Sequence, residues 1–281
     1  MVKNIALICN PLPGNTKLLN IADEIAGILN EKEISYSIFT SYWPQTWIDF
    51  SEAWIVGGDG TLNYFINQYP DLQLPITIFK AGSGNDFHWM MYGELTLEQQ
   101  IEKVLIGNAV YIDAGICNNK LFLNGVGVGF DGAIVKDLLN KKKLAGKASY
   151  LISILKHIVG YQEKYYEIKF KGREIKQDCL LISIANGRRY GGGFNVTPNA
   201  SVHDGLLDIN IVGELSSVKR LRYLPVIEKG EHLELPFVKY DQTESIIIDT
   251  PVPVHAHRDG EYFLSNHFEI FCLPKKILFF V

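Results

Sequence analysis

Gly57-Gly58-Asp59-Gly60-Thr61 constrains this chain more than any other stretch. The apolar run Ala53-Trp54-Ile55-Val56 precedes it and reads as a buried strand. Leu62-Asn63-Tyr64-Phe65-Ile66-Asn67 follows and reads as the opening turns of a helix. A strand that breaks into glycines and then opens a helix gathers backbone N–H groups at the positive end of the helix dipole, which makes an anion site. Glycine lets phosphate oxygens approach the main chain with no Cβ in the way. Asp59 is the unusual member. A carboxylate beside phosphates repels them unless a metal ion lies between, or unless it takes a proton from an attacking hydroxyl. The pattern points to phosphoryl transfer of the kinase type, although the same five residues taken alone serve equally as a tight connection.

With 281 residues, 47% of them hydrophobic, and a formal net charge of −4, the chain can bury a large core in one large or two modest domains. That balance excludes a disordered chain and a broadly basic nucleic-acid binder, so no nucleic-acid partner is expected. No apolar run reaches the roughly 18–20 residues that span a bilayer. Met1-Val2-Lys3-Asn4-Ile5 enters a strand pattern directly, and no signal peptide is expected. Cys9, Cys117, Cys179 and Cys272 each lie in or beside an apolar strand-like run without a Cys-x-x-Cys pair. They are expected to be buried, reduced thiols of a cytoplasmic protein.

Residues 1–111 alternate the two periodicities, with strands over 3–9, 35–40, 53–56 and 76–79 and helices over 15–30, 62–68 and 96–106. This βαβ rhythm predicts an α/β domain with a parallel sheet covered on both faces. Over 112–273 strand signals dominate, interrupted by one helical block at 133–159, and predict a mainly antiparallel β-sandwich or barrel. The apolar end Ile277-Leu278-Phe279-Phe280-Val281 predicts that residues 274–281 return to the first domain.

Four further segments carry chemistry. Asn10-Pro11-Leu12-Pro13-Gly14-Asn15-Thr16 ends the first strand, at the sheet edge where ligands of open α/β folds sit. Ala81-Gly82-Ser83-Gly84-Asn85-Asp86-Phe87 is a second glycine-rich strand-to-helix loop, with a hydroxyl and a carboxylate. Two such loops at one edge are far less expected by chance than one. Asn186-Gly187 and Gly191-Gly192-Gly193 lead to Asp204-Gly205-Leu206-Leu207-Asp208, where Asp204, Asp208 and nearby carbonyls could hold a hard cation. Asp259-Gly260-Glu261 puts a carboxylate on a turn, and Glu261 is a candidate general base. Each acidic turn by itself is more commonly a hairpin connection.

Taken in order, Asn10-Pro11, the Gly57–Thr61 run, Gly82-x-Gly84-Asn85-Asp86-Phe87, Phe122-x-Asn124 with Gly129-Phe130-Asp131, Pro198-x-Ala200, Asp204-Gly205-Leu206-Leu207-Asp208 and Asp259-Gly260-Glu261 resemble the blocks of the bacterial diacylglycerol kinase and lipid kinase family, which includes the sphingosine kinases. The likeness covers nearly the whole chain. The first run alone is shared with NAD kinases; the later blocks single out the lipid-kinase branch. The resemblance implies an NAD-kinase-like first domain that binds ATP through Asn10, Pro11, Gly14, Thr40, Gly57, Gly58, Asp59, Gly60, Thr61, Ser83, Asn85 and Asp86. It implies a structural Mg²⁺ held by the backbone around Ser201 and Leu206 with the Asp204 side chain. Glu261 matches the proton acceptor, Asp259 lies beside it, and Asp59 and Asp86 match acidic positions tied to Mg²⁺–ATP. The chain departs from its relatives at Ser83, where threonine is common, and at Asn15, where many carry a basic residue; here the nearest is Lys17.

The expected reaction transfers the γ-phosphoryl of ATP to a lipid hydroxyl, in a cleft between the domains. The basic lead-in Lys141-Lys142-Lys143-Leu144-Ala145-Gly146-Lys147 and the apolar pairs Tyr150-Leu151, Ile154-Leu155 and Ile158-Val159 read either as an interfacial helix or as a helix packed on the sandwich. The expected partner is a lipid substrate, with peripheral contact at the inner membrane surface; a homodimer stays open. The rival readings are a kinase of a soluble acceptor, such as an NAD kinase, and a nucleotide-binding regulator without turnover.

Overall fold

The computed structural model describes residues 3–10, 16–139 and 147–281. The chain divides into two compact units, Met1–Ile112 with Lys275–Val281, and Asp113–Pro274. Among the described residues no helix is long and apolar enough to cross a membrane.

In the first unit β1 (Asn4–Cys9), α1 (Thr16–Glu31), β2 (Ser35–Phe39), β3 (Glu52–Gly57), α2 (Asp59–Gln68), β4 (Ile76–Lys80), α3 (Asp86–Tyr92) and α4 (Leu97–Ile106) follow one another, and β5 (Ala109–Cys117) leads out of it. β1 pairs in parallel with β2 and β3, and β3 with β4. Residues 5–9 and 53–56 are wholly buried, which suits continuous apolar runs filled from both faces of a parallel sheet. Ile8 lies opposite both Phe39 and Ile55, and Gly57 opposite Lys80. That register brings Asn10, Thr40, Gly58 and Ala81, the residues just past each strand, to a single carboxyl edge. Thr96 starts α4 with a capping box: it accepts from Gln99 N at 3.3 Å, and Gln99 Oε1 accepts from Thr96 N at 3.0 Å. The C-terminal residues belong here too. Phe279 pairs with Ile76, and the Tyr92 hydroxyl donates to Phe280 O at 2.6 Å.

The second unit holds β6 (Lys120–Phe122), β7 (Gly125–Gly129), α5 (Phe130–Leu139), α6 (Lys147–Gly160), β8 (Lys164–Phe170), β9 (Arg173–Ala185), β10 (Leu207–Gly213), α7 (Ser217–Lys229), β11 (Val238–Thr243), β12 (Ser245–Arg258) and β13 (Glu261–Phe280), whose last residues return to the first unit. Its pairings are antiparallel, in the order β11-β10-β9-β7-β12-β13. β9 and β12 are long enough to take β8 as well, each at the end away from β7. Alternation along β9 separates two apolar clusters. Ile182 and Ile184 join Val126, Tyr166, Ile209 and Phe268, whereas Leu181 joins Phe130, Ile134, Ile154 and Ile158 beneath the helices.

Several expectations change at this level. The helical block at 133–159 is two helices, with 140–146 outside the described residues. The strand signals at 245–249 and 254–257 are one strand, β12, whose register shifts between Asp249 and Val254. The four cysteines are free and buried.

Candidate functional site

The first unit joins its two glycine-rich loops backbone to backbone. A Cβ on Gly58 would sit 2.8 Å from Gly82 Cα, and one on Gly82 would sit 2.5 Å from Gly58 Cα. Only glycine fits either position. Ala81 N donates to Gly57 O at 2.8 Å and ties the same strand ends. Gly57 itself faces Thr61, whose Cβ would lie 2.5 Å from any added methyl. α2 opens at Asp59, three residues earlier than periodicity predicts, because the first apolar helical position is Leu62. Its N-cap is Gly58, which offers no side chain to the first-turn N–H groups.

Asp59 reaches from α2 to the start of α3. Its Oδ2 accepts from Asp86 N at 3.0 Å and its Oδ1 from Phe87 N at 2.9 Å. A carboxylate thus takes the first N–H groups of α3, at the positive end of that helix. Asn85, in the left-handed region at φ 54°, closes the loop beneath: its Oδ1 accepts from Gly82 N at 2.9 Å and its Nδ2 donates to Gly82 O at 2.8 Å. A methyl on Gly84 would lie 3.2 Å from Asp59 Oδ2 and 3.7 Å from Asp86 Oδ2, so the two carboxylates flank this glycine. Asn10 Nδ2 donates to Thr61 Oγ1 at 3.4 Å. Thr40, Gly60 and Ser83 are exposed at the same edge. Pro11 and Gly14 lie outside the described residues. Trp43, which motif reading passed over, donates from Nε1 to Cys9 O at 2.7 Å and sets its ring 5.2 Å from that of Tyr64.

In the second unit Asp259-Gly260 is the loop of a two-residue hairpin, since Arg258 pairs with Glu261. Its φ values, 46° and 83°, suit the turn that matches strand twist, and Asp-Gly is the sequence for it. The Asp259 carboxylate is a latch. Leu123 N donates to Oδ2 at 2.7 Å, and Asn124 N and Gly125 N donate to Oδ1 at 3.0 and 2.8 Å. Asn186 carries the tie further: its Nδ2 donates to Leu123 O at 3.1 Å and Asp113 O at 3.0 Å. Glu261 differs in kind. Its side chain is 53% exposed, with Arg258 Nη2 at 3.9 Å from Oε2. Arg258 is itself fixed, by Cys117 O at 3.2 Å and the Phe263 ring at 5.0 Å.

The loop over 201–206 folds on its own oxygens. Asp204 Oδ1 accepts from Leu206 N at 3.0 Å, Ser201 Oγ accepts from His203 N at 3.3 Å, and Gly205 N donates to Asp113 Oδ2 at 2.7 Å. Tyr240 donates to Asp208, and burial raises the Asp208 carboxyl above its ordinary value. Among the described residues no three His, Cys, Asp or Glu side chains group closely enough to hold a metal ion. One carboxylate with main-chain carbonyls is nonetheless an all-oxygen donor set, which suits a Mg²⁺ that keeps several waters. Asp113 was missed by motif reading. The signal was there: a buried acid inside the apolar strand Tyr111-Ile112-Asp113-Ala114.

A family model described as the diacylglycerol kinase catalytic domain matches residues 4–117, and one described as the YegS C-terminal NAD kinase beta sandwich-like domain matches residues 124–281. The "Diacylglycerol kinase" of Mycobacterium tuberculosis (strain ATCC 25618 / H37Rv) is 29% identical over 78% of this chain and 73% of its own length. "Probable lipid kinase YegS-like" of Enterobacter sp. (strain 638) is 30% identical over 79% of this chain and 75% of its own. The crystal structure of a diacylglycerol kinase from Bacillus anthracis str. Sterne covers 99% of this chain and 96% of its own with a TM-score of 0.73 at 19% identity, and so shares the fold. The two matched models, the second over more than half of the chain, place it: the chain belongs to the diacylglycerol kinase and YegS-type lipid kinase family.

Proposed function

We propose that this lipid-kinase family member is ATP-dependent and phosphorylates a hydroxyl of diacylglycerol or a related lipid. One observation carries the reading: two glycine-rich loops, in contact at Gly58 and Gly82, bring the uncapped start of α2 and the carboxylate of Asp59 to one sheet edge, with Asp86 buried behind them. Cβ-free backbone there leaves room for phosphate oxygens. Asn10, Thr40, Thr61, Ser83 and Asn85 would line the nucleotide. Pro11 and Gly14 complete that set by position in the sequence.

The chemistry asks for positioning and charge neutralisation more than covalent help. Bound Mg²⁺ would supply neutralisation of the phosphate oxygens, held through Asp59 and Asp86 for the nucleotide and through Ser201, Asp204 and Leu206 for the structural ion. Glu261 would take the proton of the acceptor hydroxyl as that oxygen bonds to the γ-phosphorus. The bond from phosphorus to the β–γ bridging oxygen breaks, and ADP leaves with the electron pair. Asp59 and Asp259 act beside this step as positioning groups, since both carboxylates are engaged with main-chain N–H groups.

The test is γ-labelled ATP with separate acceptors: diacylglycerol in vesicles, monoacylglycerol, a sphingoid base, a ceramide-like lipid, and NAD. Label entering a lipid supports the proposal. Label entering NAD alone, or tight ATP binding with no ADP released on any lipid, would overturn it.

A further inference from the structure

Trp43 and Tyr64 pair on the first unit, just beyond the joined glycine loops. Trp43 Nε1 donates to Cys9 O at 2.7 Å, which pins the indole to the last residue of β1, next to Asn10. Asn10 in turn donates to Thr61 Oγ1 in the first turn of α2. Tyr64 lies one helical turn further along α2, on the face that carries Gly60 and Thr61. Its ring is 5.2 Å from that of Trp43, at an interplanar angle of 64°. An edge-to-face pair leaves ring faces free for a third ring. The loop that delivers Trp43 is itself held. The Tyr69 hydroxyl donates to Pro44 O at 2.8 Å, and the Trp47 ring sits 5.0 Å from that of Tyr69 and 5.7 Å from that of Phe65. Core packing accounts for Phe65, which is buried, but not for Tyr64, whose ring is left 51% exposed. The result is a fixed, half-open aromatic surface beside the phosphate loops.

The surroundings say what this surface takes. Residues 41–48 and 60–70 contain no Asp, Glu, Lys, Arg or His. A charged group would find no counter-ion on either segment, whereas a flat, neutral heterocycle gains by stacking. The seat also adjoins the glycine-rich start of α2, so the ring that reaches it arrives tethered to phosphates. We infer that Trp43 and Tyr64 seat the nucleobase, stacking on its face while the triphosphate runs to the Gly58–Thr61 end of α2. The inference rests on the ATP reading and extends it from the phosphates to the base. Stacking reads the face of a ring, so affinity here needs no hydrogen bond to its edge. A protein partner would also use aromatics, but nothing in that role calls for a place one turn from an anion loop.

The test measures binding of the full chain to ATP and to inorganic tripolyphosphate, a triphosphate without a base, both with Mg²⁺, by calorimetry and by tryptophan emission. ATP should bind more tightly than tripolyphosphate and should alone change the emission. Trp43→Phe keeps a ring and should erase that change, although Trp47, Trp54 and Trp89 remain. Tyr64→Ala should weaken ATP by about 5–150-fold, the range for one aromatic–base stack, and leave tripolyphosphate unaltered. Tyr64→Phe should keep the parent's affinity for ATP. Ile48→Ala, at an 87% exposed position in the loop that carries Trp43, should bind both ligands as the parent does. Melting temperatures confirm that the variants fold. The seat is overturned, with the ATP reading left standing, if ATP binds no better than tripolyphosphate, if the emission change survives Trp43→Phe, or if Tyr64→Ala binds ATP like the parent. A Tyr64→Ala variant that loses only self-association makes the pair a contact between copies and overturns the seat as well. A parent that binds neither ligand overturns both readings.

Discussion

Asp259 tests whether a conspicuous acid beside a candidate base is chemical or mechanical. Asp259→Asn keeps a residue that tolerates φ 46° and the Asp-Gly turn, so the change falls on hydrogen-bond acceptance. The carboxylate takes three N–H groups, Asn124 and Gly125 on Oδ1 and Leu123 on Oδ2. An amide offers one oxygen and sets its NH₂ against the remaining donor. At least one charge-assisted bond is lost, worth about 1.5–3 kcal/mol. At about 2–4 °C per kcal/mol for a unit of this size, the midpoint should fall by about 3–12 °C. Asp259→Ala loses all three bonds, adds about 1–2 kcal/mol of left-handed strain, and should fall further. The assay pairs thermal melts with ATP turnover measured well below every midpoint. A latch predicts a clear stability loss, with kcat down by less than the 10²–10⁴-fold of a lost general base. A midpoint within about 1 °C of the parent, with kcat down about 10³-fold, would refute the latch and return Asp259 to the chemistry.

Glu261→Gln should leave the melting temperature unchanged, since the side chain is 53% exposed, and should lower kcat by about 10²–10⁴-fold; near-parent turnover removes Glu261 from the role. Gly82→Ala puts a methyl 2.5 Å from Gly58 Cα, so the loops must part. A cost of about 1–3 kcal/mol and loss of ATP-induced thermal stabilisation should follow, and an unaltered ATP shift would defeat the joined-loop argument. Burial pushes the Asp131 carboxyl up to about 6 from an ordinary 3.8, so the folded form holds its proton more tightly. The resulting stability is present below about pH 4 and lost as pH rises through about 6; Asp131→Asn, still able to accept from Tyr190, should abolish that slope in urea melts across pH 4–7. His257, held down to about 4 by burial, contributes the opposite slope in parent and variant alike, so a pH-independent difference between them would sink the assignment.

The elements most legible in the sequence are those whose apolar pattern outweighs everything else, such as β1, β3 and α1. α7 was not legible. Its residues 217–229 include Pro225 and four cations, and of these residues only Arg220 is buried, so no apolar stripe announces it. What defines it lies at its ends: Ser216 precedes it, and Gly230, at φ 79°, closes it with N–H bonds to Ile227 O and Val226 O. β7 hid because Gly125, Gly127 and Gly129 are weak strand formers. They are required by close approach: a Cβ on Gly127 would lie 2.5 Å from His257 Nε2 and 2.8 Å from Asp131 Cβ. The site loops were legible as residue types, because glycine-rich strand ends have few uses. Their partners were not. Nothing in the spacing says that Asp59 meets the main chain of residues 86 and 87, or that Asp259 meets that of 123–125. Those are long-range pairings set by register.

These two latches change how an acid in a candidate site is to be understood. On charge alone, Asp59 beside the proposed phosphate cradle demands a metal or a proton to take. The fold offers a third resolution. Both oxygens accept from the positive start of α3, so part of the negative charge is already offset within the fold. The same device recurs at Asp259, where three N–H groups surround one carboxylate. In each case the acid joins two segments far apart in sequence, and the joined segments are the ones that carry the candidate chemistry: Gly82–Asp86 in one unit, the hairpin to Glu261 in the other. An acid so held can keep a lone pair for a cation while its main work is geometric. It follows that loss of activity on replacing Asp59 or Asp259 does not by itself identify a metal ligand or a base. Glu261, exposed and held by no main-chain donor among the described hydrogen bonds, is the acid whose replacement separates chemistry from architecture.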